Sequence, residues 1–167
     1  MRRLIIPMVA ILFLVLATSM VSAQTKFSGT MEMKNASVDT VFIDDVEGHN
    51  MMLSVSEGIN AGGVEGDIFD GATALNISSS DLVKGNGDIF GYTKLVKGDD
   101  VLFNKWKGVL TTVIDAEGKP KSTFKGSYEL INGAGAFANI KGTGTFSGYY
   151  TSPSNYVAEW EGEYVTE

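Results

Sequence analysis

The segment Ile140-Lys-Gly142-Thr-Gly144-Thr-Phe146-Ser-Gly148-Tyr149-Tyr150 decides the fold of this chain. Its even-numbered positions carry Ile, Gly, Phe and Tyr, whereas most odd-numbered positions carry Lys, Thr or Ser. This period of two predicts a β-strand with one apolar face. Glycine weakens an ordinary strand, but it suits a sharply bent sheet in which bulky side chains from other strands need room. A small closed barrel meets both conditions.

The C-terminal segment alternates in the same way. Glu159, Glu161 and Glu163 occupy alternate positions, so this side of the strand is predicted to face solvent. The opposite side carries Tyr156, Ala158, Trp160, Gly162 and Tyr164. The aromatic side is therefore predicted to face inward.

Short alternating segments separated by turn signals recur along the rest of the chain, as is typical of all-β folds. We predict further strands at residues 26–33, 40–46, 50–56, 72–78, 87–96, 101–114 and 122–131, with a glycine-rich, acidic connection at 57–71. The other connections are short, which favours antiparallel pairing. The predicted fold is all-β, a single antiparallel closed β-barrel of about eight strands, and a two-sheet sandwich is the alternative.

Residues 1–23 have the features of a cleaved secretory signal peptide. Arg2 and Arg3 precede an apolar run from Leu4 to Ala17, and Val21-Ser-Ala23 is a small-residue cleavage site. The run is too short to span a bilayer comfortably, so a stable membrane anchor is not expected. We predict one domain at residues 24–167, in an exported protein that is periplasmic or extracellular. The absence of cysteine fits a bacterial exported protein better than a disulfide-stapled module.

The charge of the predicted mature chain limits the classes of partner that it can bind. Both arginines lie in residues 1–23, so removing two from the 13 basic residues leaves 11 lysines against 20 Asp and Glu, or −9. Such an acidic protein is a poor candidate for nucleic acid or anionic lipid. A homo-oligomer is compatible with the sequence, although no interface can be identified in it.

Motifs for cofactors and metals are weak. Residues 133–138 match a loose dinucleotide fingerprint, but that site needs a following helix, and the glycines at 142, 144 and 148 oppose one. His49 is the single histidine, and a zinc site would have to combine it with carboxylates alone. We therefore predict no cofactor and no metal. His49 is either a catalytic base or an ordinary turn residue, and the second interpretation is favoured.

Six aromatic residues are predicted to face the interior and to line a ligand cavity. They are Trp106, Phe146, Tyr150, Tyr156, Trp160 and Tyr164. The alternative is that they fill the barrel, because an eight-stranded barrel is just wide enough to be filled by side chains or to hold one small ligand.

The segments Phe124-Lys-Gly126-Ser-Tyr128, Gly133-Ala-Gly135-Ala-Phe137 and Trp160-Glu-Gly162-Glu-Tyr164, with the glycine strand described first, resemble the allene oxide cyclase-like barrel group. The closest likeness is to its small exported bacterial members. Residues 66–73 and 98–106 are similar to the middle strands of that group, and the resemblance spans residues 48–164. It implies an eight-stranded antiparallel barrel with a mostly apolar interior.

The known activities of the allene oxide cyclase-like group indicate which functions the resemblance implies. Its plant members cyclise an unstable fatty-acid epoxide, and its relatives include dirigent proteins and bacterial cyclases. Such barrels hold a reactive, flexible molecule in one folded shape. The matching residues are structural, so the resemblance implies no catalytic position in this chain.

Three functions follow from these patterns. The first is binding of a small apolar or amphipathic molecule in the lumen without catalysis. The second is a structural or interaction barrel with a filled core. The third is an isomerase or cyclase that confines its substrate, assisted by an inward carboxylate such as Glu129 or Asp44.

Overall fold

The computed structural model describes residues 24–62 and 69–166. The predicted signal peptide and the middle of the predicted 57–71 connection lie outside the described residues. The elements are β1 (Thr25–Phe42), β2 (His49–Gly62), β3 (Thr73–Val83), β4 (Asn86–Lys97), β5 (Asp100–Ile114), β6 (Pro120–Ala134), a 3-10 helix (Gly135–Phe137), β7 (Lys141–Tyr150) and β8 (Asn155–Val165). No helix in this part of the chain is long and apolar enough to cross a membrane.

The eight strands form one ring-like antiparallel sheet. Each strand pairs with the next in sequence, and β8 pairs back with β1, where Thr25 lies opposite Tyr164 and Lys34 opposite Asn155. The predicted all-β class and the number of strands are confirmed. The two-sheet sandwich is wrong, because a single sheet closes on itself.

Two predicted boundaries are wrong, and tertiary pairing explains both. Residues 26–33 and 40–42 belong to one strand, β1, whose register shifts between Asn35 and Ser37, and residues 43–46 of the second predicted strand lie in the β1–β2 loop. The predicted connection from residue 57 onward begins as strand, because β2 continues to Gly62. Glu57 pairs with Lys34 on one side and with Leu75 on the other, so backbone partners outweigh the low strand propensity of this acidic, glycine-containing segment.

The inward glycines leave space for aromatic rings on neighbouring strands. A Cβ atom on Gly91 would lie 2.6 Å from Cζ2 of Trp106, the residue opposite it on β5. A Cβ atom on Gly126 would lie 2.6 Å from Cζ of Phe146 on β7. Backbone carbonyl oxygens of Ile77 and Lys107 would lie nearer still, so the rings and the close backbone of the neighbouring strands together occupy the volume that a side chain would need. In the segment on which the prediction rested, a Cβ atom on Gly144 would meet the ring of Tyr128 and one on Gly148 would meet the ring of Phe124, so the predicted need for room holds at these two positions.

One end of the ring is filled by a cluster of rings that we call the aromatic plug. Its members are Phe27, Phe69, Phe137, Trp160 and Tyr164. Phe69 and Phe137 have no exposed surface, and their ring centroids are 5.3 Å apart. Phe69 also stacks on Phe27 at 4.9 Å and meets Trp160 edge-on at 5.4 Å. The plug closes the end of the ring at which β1 begins and β8 ends.

Asn60 fixes the plug to the backbone. Its side chain is fully buried, and Oδ1 accepts a hydrogen bond of 2.7 Å from Nε1 of Trp160. Its Nδ2 donates to the carbonyl oxygen of Phe69 at 2.8 Å, and its backbone N–H donates to Ala72. The segment that carries Phe69 is therefore held to the end of β2 by backbone and side-chain hydrogen bonds.

The outer surface differs around the ring. The outward positions of β7 and β8 carry Lys, Thr, Ser and Glu for the most part, as predicted for a solvent face. The outward positions of β2 to β4 include exposed apolar side chains, namely Leu53, Ile77, Phe90 and Tyr92. On β2 and β3 the polar residues of the alternating pattern consequently face the interior.

Candidate functional site

The ring of strands encloses a cavity of about 130 Å³. The plug residues Phe27, Phe69 and Trp160 bound it at one end. Toward the other end, lining residues such as Ile89 and Tyr150 are partly exposed. The cavity is therefore closed at the plug and reaches solvent at the opposite end of the ring.

One wall of the cavity is a row of neutral polar side chains that we call the polar belt. The belt consists of residues that lie directly opposite one another on β1 to β5, namely Asn35, Ser56, Asn76, Thr93 and Asn104. All five line the cavity. Within the belt, Oγ of Ser56 donates to Oδ1 of Asn35 at 2.9 Å. A row of amide and hydroxyl groups thus follows more than half of the ring at one level.

Asn76 is the most connected residue of the belt. Its Oδ1 accepts hydrogen bonds from Nε1 of Trp106 at 2.9 Å and from Oγ1 of Thr93 at 3.1 Å. Its Nδ2 donates to the hydroxyl of Tyr156 at 3.3 Å. Because Tyr156 lies on β8, this last hydrogen bond crosses the interior of the ring. Asn76 therefore holds two of the aromatic side chains in place.

Asn104 has no such connections. The residue is 8% exposed, and its side chain makes no hydrogen bond to any part of the chain that the structure describes. Thr93 is opposite it on β4, and Leu130 is opposite it on β6. Its amide faces the cavity with both its donor and its acceptor unused.

The other wall of the cavity is aromatic. Phe124, Phe146, Tyr150 and Tyr156 project from β6, β7 and β8, and Trp106 from β5. The rings of Trp106 and Phe146 meet edge-on at 5.6 Å, and those of Phe124 and Tyr156 at 5.7 Å. Edge-to-face contacts of this kind hold rings in fixed orientations. The wall therefore presents a preformed aromatic surface opposite the polar belt.

The cavity is electrically neutral. Among the described residues that line it there is no Asp, Glu, Lys, Arg or His. Burial raises the pKa of Tyr150 and that of Tyr156, so both hydroxyls stay protonated at neutral pH. Burial, with a smaller contribution from Glu161, also raises the pKa of Tyr128. The walls thus offer hydrogen bonds and ring surfaces but no charge.

Most of the predicted aromatic set is brought together. The residues that line the cavity are Trp106, Phe146, Tyr150, Tyr156 and Trp160. Tyr164 does not line it, because its ring packs against Phe27 at 5.4 Å and Phe69 at 5.9 Å inside the plug. Ligand binding by this set stays a prediction.

The two carboxylates proposed to assist catalysis do not face the cavity. Glu129 is exposed on the outer face of β6, because its neighbours Tyr128 and Leu130 take the inward positions. Asp44 lies in the exposed β1–β2 loop. The prediction that either residue is an inward carboxylate is wrong.

His49 also lies away from the cavity. It begins β2, and its ring nitrogens contact carboxylates on either side, Nδ1 with Asp45 and Nε2 with Asp81, the latter at 2.7 Å. The hydrogen bond to Asp45, followed by that to Asp81, raises the pKa of His49. This histidine therefore ties the β1–β2 loop to β3, and it is not placed to act on a molecule in the cavity. The described residues contain no group of three or more side chains suited to hold a metal ion.

The sequence reasoning missed the polar belt. The relevant signal is present in β3, where Asn76, Ser78 and Ser80 alternate with Leu75 and Ile77. A period of two identifies two faces, and the usual assumption assigns the apolar face to the interior. In β3 the opposite assignment holds, so the polar side chains enter the cavity.

Comparisons with known proteins support the fold but give no information on function. No protein-family model and no curated protein matches the chain. A crystal structure of a protein of unknown function from the DUF3224 family of Shewanella oneidensis MR-1 is similar, with a TM-score of 0.55 and 16% sequence identity. The similarity covers 87% of this chain and 98% of that chain. The fold of this chain is thus shared by at least one bacterial protein of known structure.

Proposed function

We propose that this chain binds a small, uncharged, amphipathic molecule inside its barrel, without catalysis. The observation that carries the proposal is the cavity between an aromatic wall and a neutral polar belt. Binding sites for small molecules are typically apolar concavities with a few placed polar groups. The two walls match a molecule with one apolar face and one hydrogen-bonding face.

The volume of the cavity and its uncharged lining limit the size and the charge of the molecule that can bind. Apolar cavities of about 150 Å³ hold benzene, so a cavity of about 130 Å³ accommodates a group near the size of one six-membered ring. A buried charge without a partner is strongly disfavoured, and the described lining offers no counter-charge. A neutral ring is therefore the group that fits best.

The polar belt argues against the filled structural barrel. Asn and Ser side chains cost free energy when they are buried, and apolar residues fill a purely structural core more favourably. An isomerase or cyclase would depend on confinement, since the described lining contributes no carboxylate or histidine for proton transfer. The proposal also includes the resemblance to the allene oxide cyclase-like group and export directed by residues 1–23. Export would place this binding protein in the periplasm or outside the cell.

Native mass spectrometry of the protein purified from its source organism tests the proposal. We expect a small uncharged molecule at one per chain, released by solvent extraction. Titration with toluene and with 2-pyridone, two uncharged six-membered-ring probes, covers a ligand lost on purification. If no molecule co-purifies and neither probe binds, the proposal is refuted.

A matched pair of variants shows whether the cavity is the site. Ala158→Leu adds volume to a residue that lines the cavity, and Ser147→Leu adds volume on the exposed face of β7. We expect Ala158→Leu to abolish binding and Ser147→Leu to leave it unchanged. Equal effects would show that the probes bind elsewhere.

A further inference from the structure

Asn76 and Asn104 occupy equivalent places on either side of Thr93, yet they differ in their partners. The two residues are 7% and 8% exposed, so both are more than nine-tenths buried. Asn76 uses both its amide oxygen and its amide nitrogen in hydrogen bonds to the protein. Within residues 24–62 and 69–166, Asn104 uses neither.

Polar groups inside proteins nearly always have a hydrogen-bond partner, either in the protein or in a molecule that reaches them. Among the described residues the one sealed side-chain atom without a partner is Oδ1 of Asn50, so the amide of Asn104 keeps surface that is open to the cavity. Asn104 lines the cavity, and Trp106, two residues farther along β5 on the same face, lines it as well. The partner of Asn104 is therefore expected to enter the cavity from outside the chain.

The chemistry of the amide indicates what that partner carries. Oδ1 accepts hydrogen bonds and Nδ2 donates them, and both lie on one planar edge. Such an edge pairs with a ligand edge that has a donor next to an acceptor, as asparagine does with adenine in nucleic acid recognition. A carboxylate offers two acceptors and a charge, so it fits this edge poorly.

We infer that the molecule in the cavity is a neutral ring that bears an adjacent N–H donor and carbonyl or ring-nitrogen acceptor, and that Asn104 holds this edge. The inference rests on the proposed function, since it names the class of molecule that the same cavity takes. The ring lies between the polar belt and the aromatic wall, and the amide of Asn104 fixes its orientation.

Three probes and one variant test the inference. The probes are 2-pyridone, which has adjacent N–H and C=O groups; toluene, which has the same ring size without them; and benzoate, which carries a charge. Binding to the full chain is followed by tryptophan fluorescence and by saturation-transfer NMR. We expect 2-pyridone to bind most tightly and benzoate not to bind. Asn104→Leu should weaken 2-pyridone about tenfold or more and leave toluene unchanged or tighter.

Asn76→Leu is the matched control. It removes hydrogen bonds to Thr93, Trp106 and Tyr156, so its thermal midpoint should fall. Asn104→Leu loses no hydrogen bond to the described protein, and its thermal midpoint should stay level or rise. A clear fall for Asn104→Leu would overturn the inference, because it would reveal a structural role.

The outcomes separate the inference from the proposed function. If toluene binds as tightly as 2-pyridone, or if Asn104→Leu leaves 2-pyridone affinity unchanged, the inference is wrong while the cavity remains a binding site. If neither neutral probe binds and no molecule co-purifies, both are wrong.

Discussion

Replacing Trp160 by phenylalanine tests whether the plug and the cavity wall have separate roles. Nε1 of Trp160 is the donor to Oδ1 of Asn60, whose side chain is fully buried. Phenylalanine keeps an aromatic ring but removes this donor. Among the described residues Oδ1 accepts no other hydrogen bond, so we expect the variant to leave a buried acceptor without a partner.

The expected loss of stability has two parts. An unsatisfied buried acceptor costs about 1–3 kcal/mol. The smaller ring also removes two carbon atoms, besides the indole nitrogen, from a residue that is 7% exposed, which costs about 1–2 kcal/mol at ~0.8 kcal/mol for each carbon. The free energy of unfolding of Trp160→Phe should therefore fall by about 2–5 kcal/mol.

Urea denaturation followed by far-ultraviolet circular dichroism measures this loss without relying on tryptophan. Trp106→Phe is the control, because it makes the same chemical change at the cavity wall. There Oδ1 of Asn76 keeps the hydrogen bond from Thr93, so we expect the loss to be about half as large. Trp106→Phe should instead alter probe affinity. Equal losses, or a loss below about 1 kcal/mol for Trp160→Phe, would refute the division into plug and wall.

Three further predictions concern other parts of the molecule. His49 is the single histidine, so NMR titration should give one ring pKa, above 6.5, and Asp81→Asn should lower it. Because the pKa of His49 is raised in the folded protein, its interactions stabilise the fold fully below pH 6.5, and this stabilisation is lost as the pH rises through the folded pKa. A free energy of unfolding that increases over this pH range because of His49 would contradict the observed contacts. Gly148→Ala should cost about 1–3 kcal/mol in urea denaturation, since a Cβ atom there would clash with the backbone carbonyl oxygen of Val157 and with the ring of Phe124, whereas Ser147→Ala on the exposed side should cost under about 0.5 kcal/mol. Spectrophotometric titration should show Tyr150 and Tyr156 ionising above pH 10, and Tyr156→Phe and Tyr150→Phe should each remove one of these late steps; ionisation of either at or below pH 10 would mean that its hydroxyl is solvated.

The strands of the C-terminal half could be predicted, together with their inward faces, because their polar residues face solvent and their apolar residues face the interior. In β8, the glutamates at 159, 161 and 163 alternate with the larger aromatic residues, so the inward face is evident from the sequence. In β3, Leu75 and Ile77 face outward and Asn76 faces the cavity. The same period of two predicts the strand but assigns its faces the wrong way round. The aromatic wall is therefore visible in the sequence, and the polar belt is not.

The remaining errors come from pairing between distant segments. Local composition marks residues 57–62 as a connection, but residues 57–59 lie between β1 and β3, and residues 60–62 pair with β1, so these strands provide hydrogen-bond partners for their backbone groups. Glu129 appeared to be a candidate inward carboxylate, but the phase of β6, in which Tyr128 and Leu130 are buried, excludes it. Strand phase and strand partners depend on the whole ring, and a single sequence does not specify them locally.

The pairing of β8 with β1 has a consequence for how the chain is made. The first and last described strands are neighbours, so the sheet cannot close until the final strand has been synthesised. A chain that is still growing leaves β1 with an unpaired edge, and contacts of this sequence separation form slowly. We therefore expect the nascent chain to reach its closed fold only when translation is nearly complete. A truncation before Asn155 should leave two open edges and an aggregating product, whereas the complete chain closes on itself.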